Sequence, residues 1–334
     1  MKKENLFGKI KRFNKDIDKH VPGKVSSLKK LGMFIDFTYE YVHNDVYLQD
    51  YIQYEFYNKK RRERKRYVVH GKLLEMMRIC NNPANRPNFD KKPLFNKAFA
   101  EFIHRDWLNA EDATEEEFRQ FIKDKECFFV KQPDGMFGLG VQKIYVKDIT
   151  DVSATFKEYK KNKYLCEELL TQCKEMAEFN DTSINTLRVV TLITADDEVK
   201  VMGGLLRVGR KGRIADNFHH QGIASFIDPV NGIVCTAGID KTNTRRVIHP
   251  DSKKQLVGFK IPMWDEIVDT VTKAAKVFPD MRYIGWDVVI TEDYKVALIE
   301  GNPGADPDAE QITTREGRWP YYYKYLKDIK KLNS

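Results

Sequence analysis

Two acidic residues and an amide stand out near the carboxyl end of this 334-residue chain, within YIGWDVVITEDYKVALIEGNPGAD. Both halves of the stretch read as strands, joined by the turn TEDY. A turn centred between Asp293 and Tyr294 sets Asp287 directly opposite Glu300. Asn302, two residues on, points to the same face. Hard oxygen donors of this kind suit Mg²⁺, with Mn²⁺ as a substitute, held by one or two carboxylates plus the phosphates of a nucleotide. A solvent-facing polar pair is the plainer reading. Against it, both acids interrupt apolar strands, where a carboxylate must be paired or bind metal. A second constellation is FFVKQPDGMFGLGVQKIYV. Lys131 ends one strand, and Gly135, Gly138 and Gly140 occupy the turn before the next. Glycines let backbone N–H groups approach phosphate oxygens, and a lysine leaving the strand adds a point charge. An ordinary glycine-rich hairpin turn is the alternative. The spacing is not that of a P-loop, and no GxGxxG opens a helix.

Read together, the two hairpins describe an ATP site between two lobes. Here the sequence resembles the ATP-grasp superfamily, and within it the sugar-transfer-associated group, related to α-L-glutamate ligases and encoded among bacterial surface-polysaccharide genes. The resemblance spans roughly residues 40–325. It implies an α+β fold in which two lobes, residues 86–170 and 171–334, grip ATP, preceded by a helical, basic region over residues 1–85. By the same resemblance Lys97 and Lys131 contact phosphates, and DGMFGLG is the loop over them. Tyr164 to Leu170, with Glu167, Glu168 and Leu170, is the strand between lobes that meets adenine. Glu175 is placed at the ribose, and Asp287, Glu300 and Asn302 hold the metal. SINTLRVVT resembles the group's Ser-x-Asn-Thr-x-Arg segment, which sets Asn185 and Arg188 toward phosphate or a substrate carboxylate. An arginine opening a β-run also suits bidentate binding of an oxyanion, or a structural salt bridge. Arg207 is placed at the γ-phosphate. The loop DNFHHQG departs from the group at Gln221-Gly222, which leaves substrate identity open; His219 and His220, with no third ligand nearby, read as substrate or solvent contacts.

The implied reaction is ligation of a carboxylate to an amine or thiol through an acyl phosphate, with small-molecule, sugar-linked substrates in surface-polysaccharide biosynthesis. Phosphorylation of a hydroxyl acceptor would use the same ATP residues. A non-catalytic polyanion-binding protein is the third reading. No Ser/His/Asp or Cys/His set is needed, and none is evident.

The elements that must position these groups follow from pattern. Thr114 with Glu117 is a capping box opening a helix. CFFVK and VQKIYV read as strands, as do LRVVTLIT and VKVMGGLLRV; a helix is expected around residues 153–161, and PMWDEIVDTVTKAAKVF is amphipathic. NNPANRPNFDKKP reads as a boundary loop, and residues 209–222 as a long loop. DVYLQDYIQYEFYNKKRRERKR reads as one long helix with a basic end.

Charge is uneven. The net +8 arises from residues 1–30, at +7, and KKRRERKR, at +6, so the remainder is acidic and a uniformly basic nucleic-acid surface does not follow. Leu6, Phe7, Ile10, Phe13 and Ile17 lie near helical spacing among lysines. Such a helix can rest on an anionic membrane or pack on the protein's own body. The arginine run can receive an anionic substrate through Arg61, Arg62, Arg64 and Arg66, or form a solvated helix face. No apolar run reaches the length of a membrane span, and no signal peptide is recognised. The five scattered cysteines have no CxxC pair, which fits reduced thiols in a cytoplasmic protein, with peripheral contact at the inner membrane face as a further reading.

Overall fold

A computed structural model describes residues 6–132, 141–213, 216, 221–240 and 244–332. Gly135, Gly138, Gly140, His219 and His220 lie outside the described residues. The chain opens with helices α1 (Leu6–His20), α2 (Ser27–Asn44), α3 (Leu48–Gln53), α4 (Arg61–Arg64) and α5 (His70–Cys80). The single long helix expected over residues 45–66 is broken. Glu55 adopts φ +53°, and a 3₁₀ turn over Phe56–Asn58 separates α3 from α4. The break lets Tyr51, Ile52, Phe56 and Tyr67 all enter one aromatic core with Phe13 and Ile17 of α1. With Tyr54, also in that core, a straight helix would spread these side chains over more than half its circumference. The burial of Phe13 and Ile17 shows α1 packed on the protein's own body.

The expected boundary loop is instead wound into short helices. α6 (Pro87–Asp90), α7 (Lys92–Ala98) and α8 (Ala100–Ile103) follow a 3₁₀ turn at Pro83–Asn85. Prolines at Pro83, Pro87 and Pro93 occupy first-turn positions, where the missing N–H costs nothing. Phe89, Phe95, Phe99 and Phe102 from this stretch join the core of the second sheet described below, not that of the first.

The first sheet contains β1 (Trp107–Asn109), β2 (Cys127–Lys131), β3 (Val141–Tyr145) and β4 (Leu165–Glu168), antiparallel in the order β1-β4-β2-β3. Its apolar face is covered by α9 (Glu115–Ile122) and α10 (Val152–Lys161) through Phe118, Phe121, Phe128 and Phe156. The capping box is present: Glu117 N donates to Thr114 Oγ1 at 3.3 Å and Thr114 N donates to Glu117 Oε2 at 2.7 Å.

After α11 (Lys174–Ala177) comes the larger sheet. Its strands are β5 (Thr186–Ile193), β6 (Val199–Val208), β7 (Ile223–Ile227), β8 (Gly238–Ile239), β9 (Arg245–Arg246), β10 (Tyr283–Ile290) and β11 (Val296–Asn302). Among the described residues they run in the order β11-β10-β5-β6-β7-β8-β9, antiparallel throughout. α12 (Trp264–Ala275) covers one face, and α13 (Asp308–Thr314), α14 (Trp319–Leu332) and α5 cover the other. No helix among the described residues is long and apolar enough to cross a membrane.

One irregularity positions the acids. Val288, Val289 and Ile290 pair with Leu298, Ala297 and Val296, so the turn has three residues and ends at Tyr294 with φ +55°. Between Val288 and Asp287 the register shifts by one, leaving Ile299 unpaired, and Asp287 then faces Glu300 as expected. Val296 and Leu298 point into the core under α12. By strict alternation Glu300 would follow them there. The bulge reverses the parity and turns Glu300 onto the face of Asp287.

Candidate active site

Asp287 sits buried mid-sheet, in register with Arg188 on one side and Glu300 on the other. Arg188 grips it with both Nε and Nη2, the latter at 2.8 Å from Oδ2. Arg207, one strand further over, reaches both carboxylate oxygens from Nη1 at 3.2 and 3.3 Å. Burial alone would raise the Asp287 pKa. The two guanidinium charges overcome it and hold the carboxyl well below its ordinary range. Arg188 is correspondingly raised despite its own desolvation.

Glu300 differs. Its side chain is 49% exposed. Desolvation of the carboxyl and then the Asp287 charge nevertheless push it above the usual range. Asn302 Nδ2 donates to Glu300 Oε1 at 3.1 Å. Two carboxylates and an amide oxygen thus meet on one face. No group of three or more His, Cys, Asp or Glu side chains suited to a metal occurs among the described residues. The two acids repel each other, as the upward push on Glu300 records, so a cation between them would be stabilised. That donor set fits a Mg²⁺ that keeps waters and takes substrate phosphates as its other ligands.

A second charged node lies where the two sheets meet. Glu167 of β4 is buried and receives Lys131 Nζ from β2, Arg105 Nη2 at 3.2 Å and Asn96 Nδ2 at 2.9 Å. Desolvation pushes its pKa up, but Lys131 and Arg105 outweigh it and hold the carboxyl at about 2. Arg105 also donates to the backbone oxygen of Leu298 at 2.8 Å, which ties the node to the strand carrying Glu300. Glu167→Gln leaves Arg105 buried beside Lys131 without a counter-charge, a change that costs about 3–5 kcal/mol for a broken buried pair. The wild-type contribution is present above the ordinary carboxylate value of 4.5 and lost as pH falls toward about 2. Unfolding monitored across that window is expected to show a wild-type slope that Glu167→Gln lacks.

The remaining expected residues separate. Glu168 ends β4, where Oε2 accepts from Asp106 N at 2.9 Å, and Leu170 follows β4, half-buried. Glu175 of α11 accepts from Tyr294 Oη at 3.0 Å, so the β10–β11 turn orients it. Lys97 is exposed on α7 and forms no ion pair with the described residues; its neighbour Asn96 is the one that reaches Glu167. Asn185 requires a correction. It is buried, donates through Nδ2 to Gln172 Oε1, Met176 O and Asn180 O, and accepts from Gly209 N at 2.9 Å. Every polar atom of that amide is engaged in pinning loops, which leaves none for phosphate or substrate. Arg64 is likewise no open anion receptor: it is buried against Asp36 and Glu40.

Residues missed by sequence reasoning complete the rim. Asp216 Oδ2 accepts from Thr186 N at 2.7 Å and lies within reach of the Arg207 charge. Asp308, at the start of α13, has its carboxyl pushed up by burial while Arg207 and Arg188 pull it down. Gln53 of α3 also lowers the Asp308 carboxyl, so the amino-terminal helices border this rim. Only Asp308 offered a signal, six residues beyond Asn302 in an acidic run.

Residues 75–321 match the family described as sugar-transfer associated ATP-grasp, which is most of the chain. The chain belongs to that family. No curated protein sequence matches it. Among solved structures, this ATP-grasp chain is similar to the ligase PsnB complexed with a minimal precursor (18% identity, 74% of this chain and 64% of that one, TM-score 0.47). It is also similar to a RiPP-associated ATP-grasp ligase from Chryseobacterium gregarium, in complex with ADP and a leader and core peptide (12%, 76% and 63%, TM-score 0.45). A third is D-alanyl-alanine synthetase A from Vibrio cholerae (11%, 74% and 68%, TM-score 0.42). The chain spans less than two thirds of the length of PsnB and of the Chryseobacterium ligase.

Proposed function

We propose that this ATP-grasp protein is an ATP- and Mg²⁺-dependent, ADP-forming ligase that joins a carboxylate to an amine or thiol through an acyl phosphate. The observation that carries the reading is the Asp287 node, where two arginines and two acids share one sheet face. Phosphoryl transfer depends mostly on positioning and charge neutralisation. Asp287, Glu300 and Asn302 would hold the metal, which supplies charge neutralisation at the β- and γ-phosphates. Lys131 and Arg207 would offset phosphate charge, with Lys97 reaching the nucleotide from α7. Arg188, fixed by Asp287, presents its remaining N–H group toward the acceptor carboxylate. The phosphoryl group passes from ATP to that carboxylate oxygen, releasing ADP. The amine then attacks the acyl carbon and inorganic phosphate leaves. Glu168, Leu170 and Glu175 would line the base and ribose end, and Gly135, Gly138 and Gly140 the phosphates.

The substrate would be a sugar-linked acid, or an amino acid bound for a surface polysaccharide, and the place of action cytoplasmic; the family's association with sugar transfer supports the sugar link alone. The test is turnover with Mg-ATP, hydroxylamine and a panel of uronic acids, sugar nucleotides and amino acids. ADP together with a hydroxamate supports the ligase and names its acid. ADP with a phosphorylated product and no hydroxamate overturns it in favour of a kinase.

A further inference from the structure

Helix α2 is built with its two acids inward. Asp36 and Glu40 turn toward the body, where Arg64 Nη1 donates to both at 2.9 Å and Tyr51 Oη donates to Asp36 at 2.8 Å. The opposite face carries Leu28, Leu31, Ile35, Tyr39 and Val42, which are 82%, 50%, 63%, 40% and 64% exposed. At 100° per residue these five, with Gly32 and Thr38 between them, form one stripe free of charge, about 21 Å long at the helical rise. A contiguous exposed apolar face of this kind marks an interaction surface.

What borders the stripe selects its occupant. α1 packs against α2 through Phe13 on Phe34 and Phe37, and Lys30 pairs with Asp18. On the other flank the guanidinium of Arg61 stands 3.8 Å over the Tyr39 ring, with Arg62 also exposed on α4. Cations of both basic runs, remote in sequence, therefore border the same apolar stripe: Lys30 on the α1 side and Arg61 and Arg62 on the other. A second copy docking there would oppose like charge to like. A nucleic acid would leave the apolar stripe wet. An anionic lipid surface satisfies both features, since apolar side chains enter the acyl boundary while lysines and arginines meet headgroups.

We propose that the α1–α2 hairpin docks this enzyme on anionic membranes, with Leu28, Leu31, Ile35, Tyr39 and Val42 of α2 as the inserting face. This differs from insertion of α1, whose apolar residues Phe13 and Ile17 are already committed to the core. The test is flotation of the full chain with vesicles of phosphatidylcholine alone, and of phosphatidylcholine mixed with phosphatidylglycerol. The wild type is expected to float with the mixed vesicles only, less so as salt rises. Leu28→Asp combined with Ile35→Asp is expected to weaken binding by roughly 100-fold, as for removing two inserted side chains. Both side chains face outward, so the unfolding transition should not move. Should that variant fail to fold, Ile35→Trp serves instead, its emission shifting to the blue on mixed vesicles. Arg61→Gln with Arg62→Gln should flatten the salt dependence. The proposal is overturned if the wild type stays unbound at low salt, or if binding survives the double aspartate variant. A concentration-dependent dimer that the double variant dissociates would overturn it equally, assigning the stripe to a second copy.

Discussion

Glu300→Gln is expected to reduce Mg-ATP turnover by roughly 10²–10³-fold, the size seen when one preorganised charge-stabilising group is removed, while Tm stays level or rises. The two halves of this expectation have one cause. Glu300 lies in register with the buried Asp287 carboxylate, and its own carboxyl is pushed above the usual range. An acid raised in the folded state opposes folding once pH exceeds its unfolded value of 4.5. Glutamine keeps the oxygen that accepts from Asn302 and removes the repulsion. The Tm difference should therefore appear at neutral pH and close below about pH 4, where both forms are uncharged. Unchanged turnover in this variant would remove Glu300 from the metal set.

Asp287→Asn should lose both activity and stability. It removes the counter-charge of Arg188 and Arg207, which then face each other partly buried. Breaking a buried pair from one side costs about 3–5 kcal/mol. Because the Asp287 pKa is depressed, the wild type holds this contribution above the ordinary value of 3.8 and loses it as pH falls below. Denaturant melts of Asp287→Asn, Arg188→Met and the double variant give the decisive comparison. The double variant should be more stable than the sum of the singles implies, because it leaves fewer unpaired charges. Simple additivity would mean that the ion pair seen here contributes no coupling.

Local pattern made much of the molecule readable. Thr114 and Glu117, the strands at residues 127–131 and 283–290, and the facing of Asp287 with Glu300 all follow from residue type and short-range alternation. The register was nevertheless reached by another route, since a three-residue turn and the Ile299 bulge together produce the pairing that a two-residue turn would have produced alone. Features that depend on distant partners were not readable. Arg105 and Asn96 meet Glu167 from 62 and 71 residues away, and nothing in their own neighbourhoods announces it. Asn185 drew attention through its motif, yet its amide is occupied by backbone groups that only the folded loops bring together. The basic run misled in a similar way. Seven cations within eight residues look solvent-bound, but Arg64 is aimed inward because Glu55 and the following turn rotate α4 against α2.

The unpaired Ile299 has one more consequence. β11 carries two messages written in opposite phase: up to Leu298 its even-numbered residues serve the hydrophobic interior, and from Glu300 onward the even-numbered residues serve the face of Asp287. Pairing Ile299 with Asp287, in the register that the strand keeps up to Leu298, would leave every apolar residue and every acid in the chain. It would still send the acid toward the interior and, with it, Asn302, so that catalysis and a stable core became mutually exclusive readings of one strand. A single unpaired residue thus acts as the phase mark that lets both be read at once.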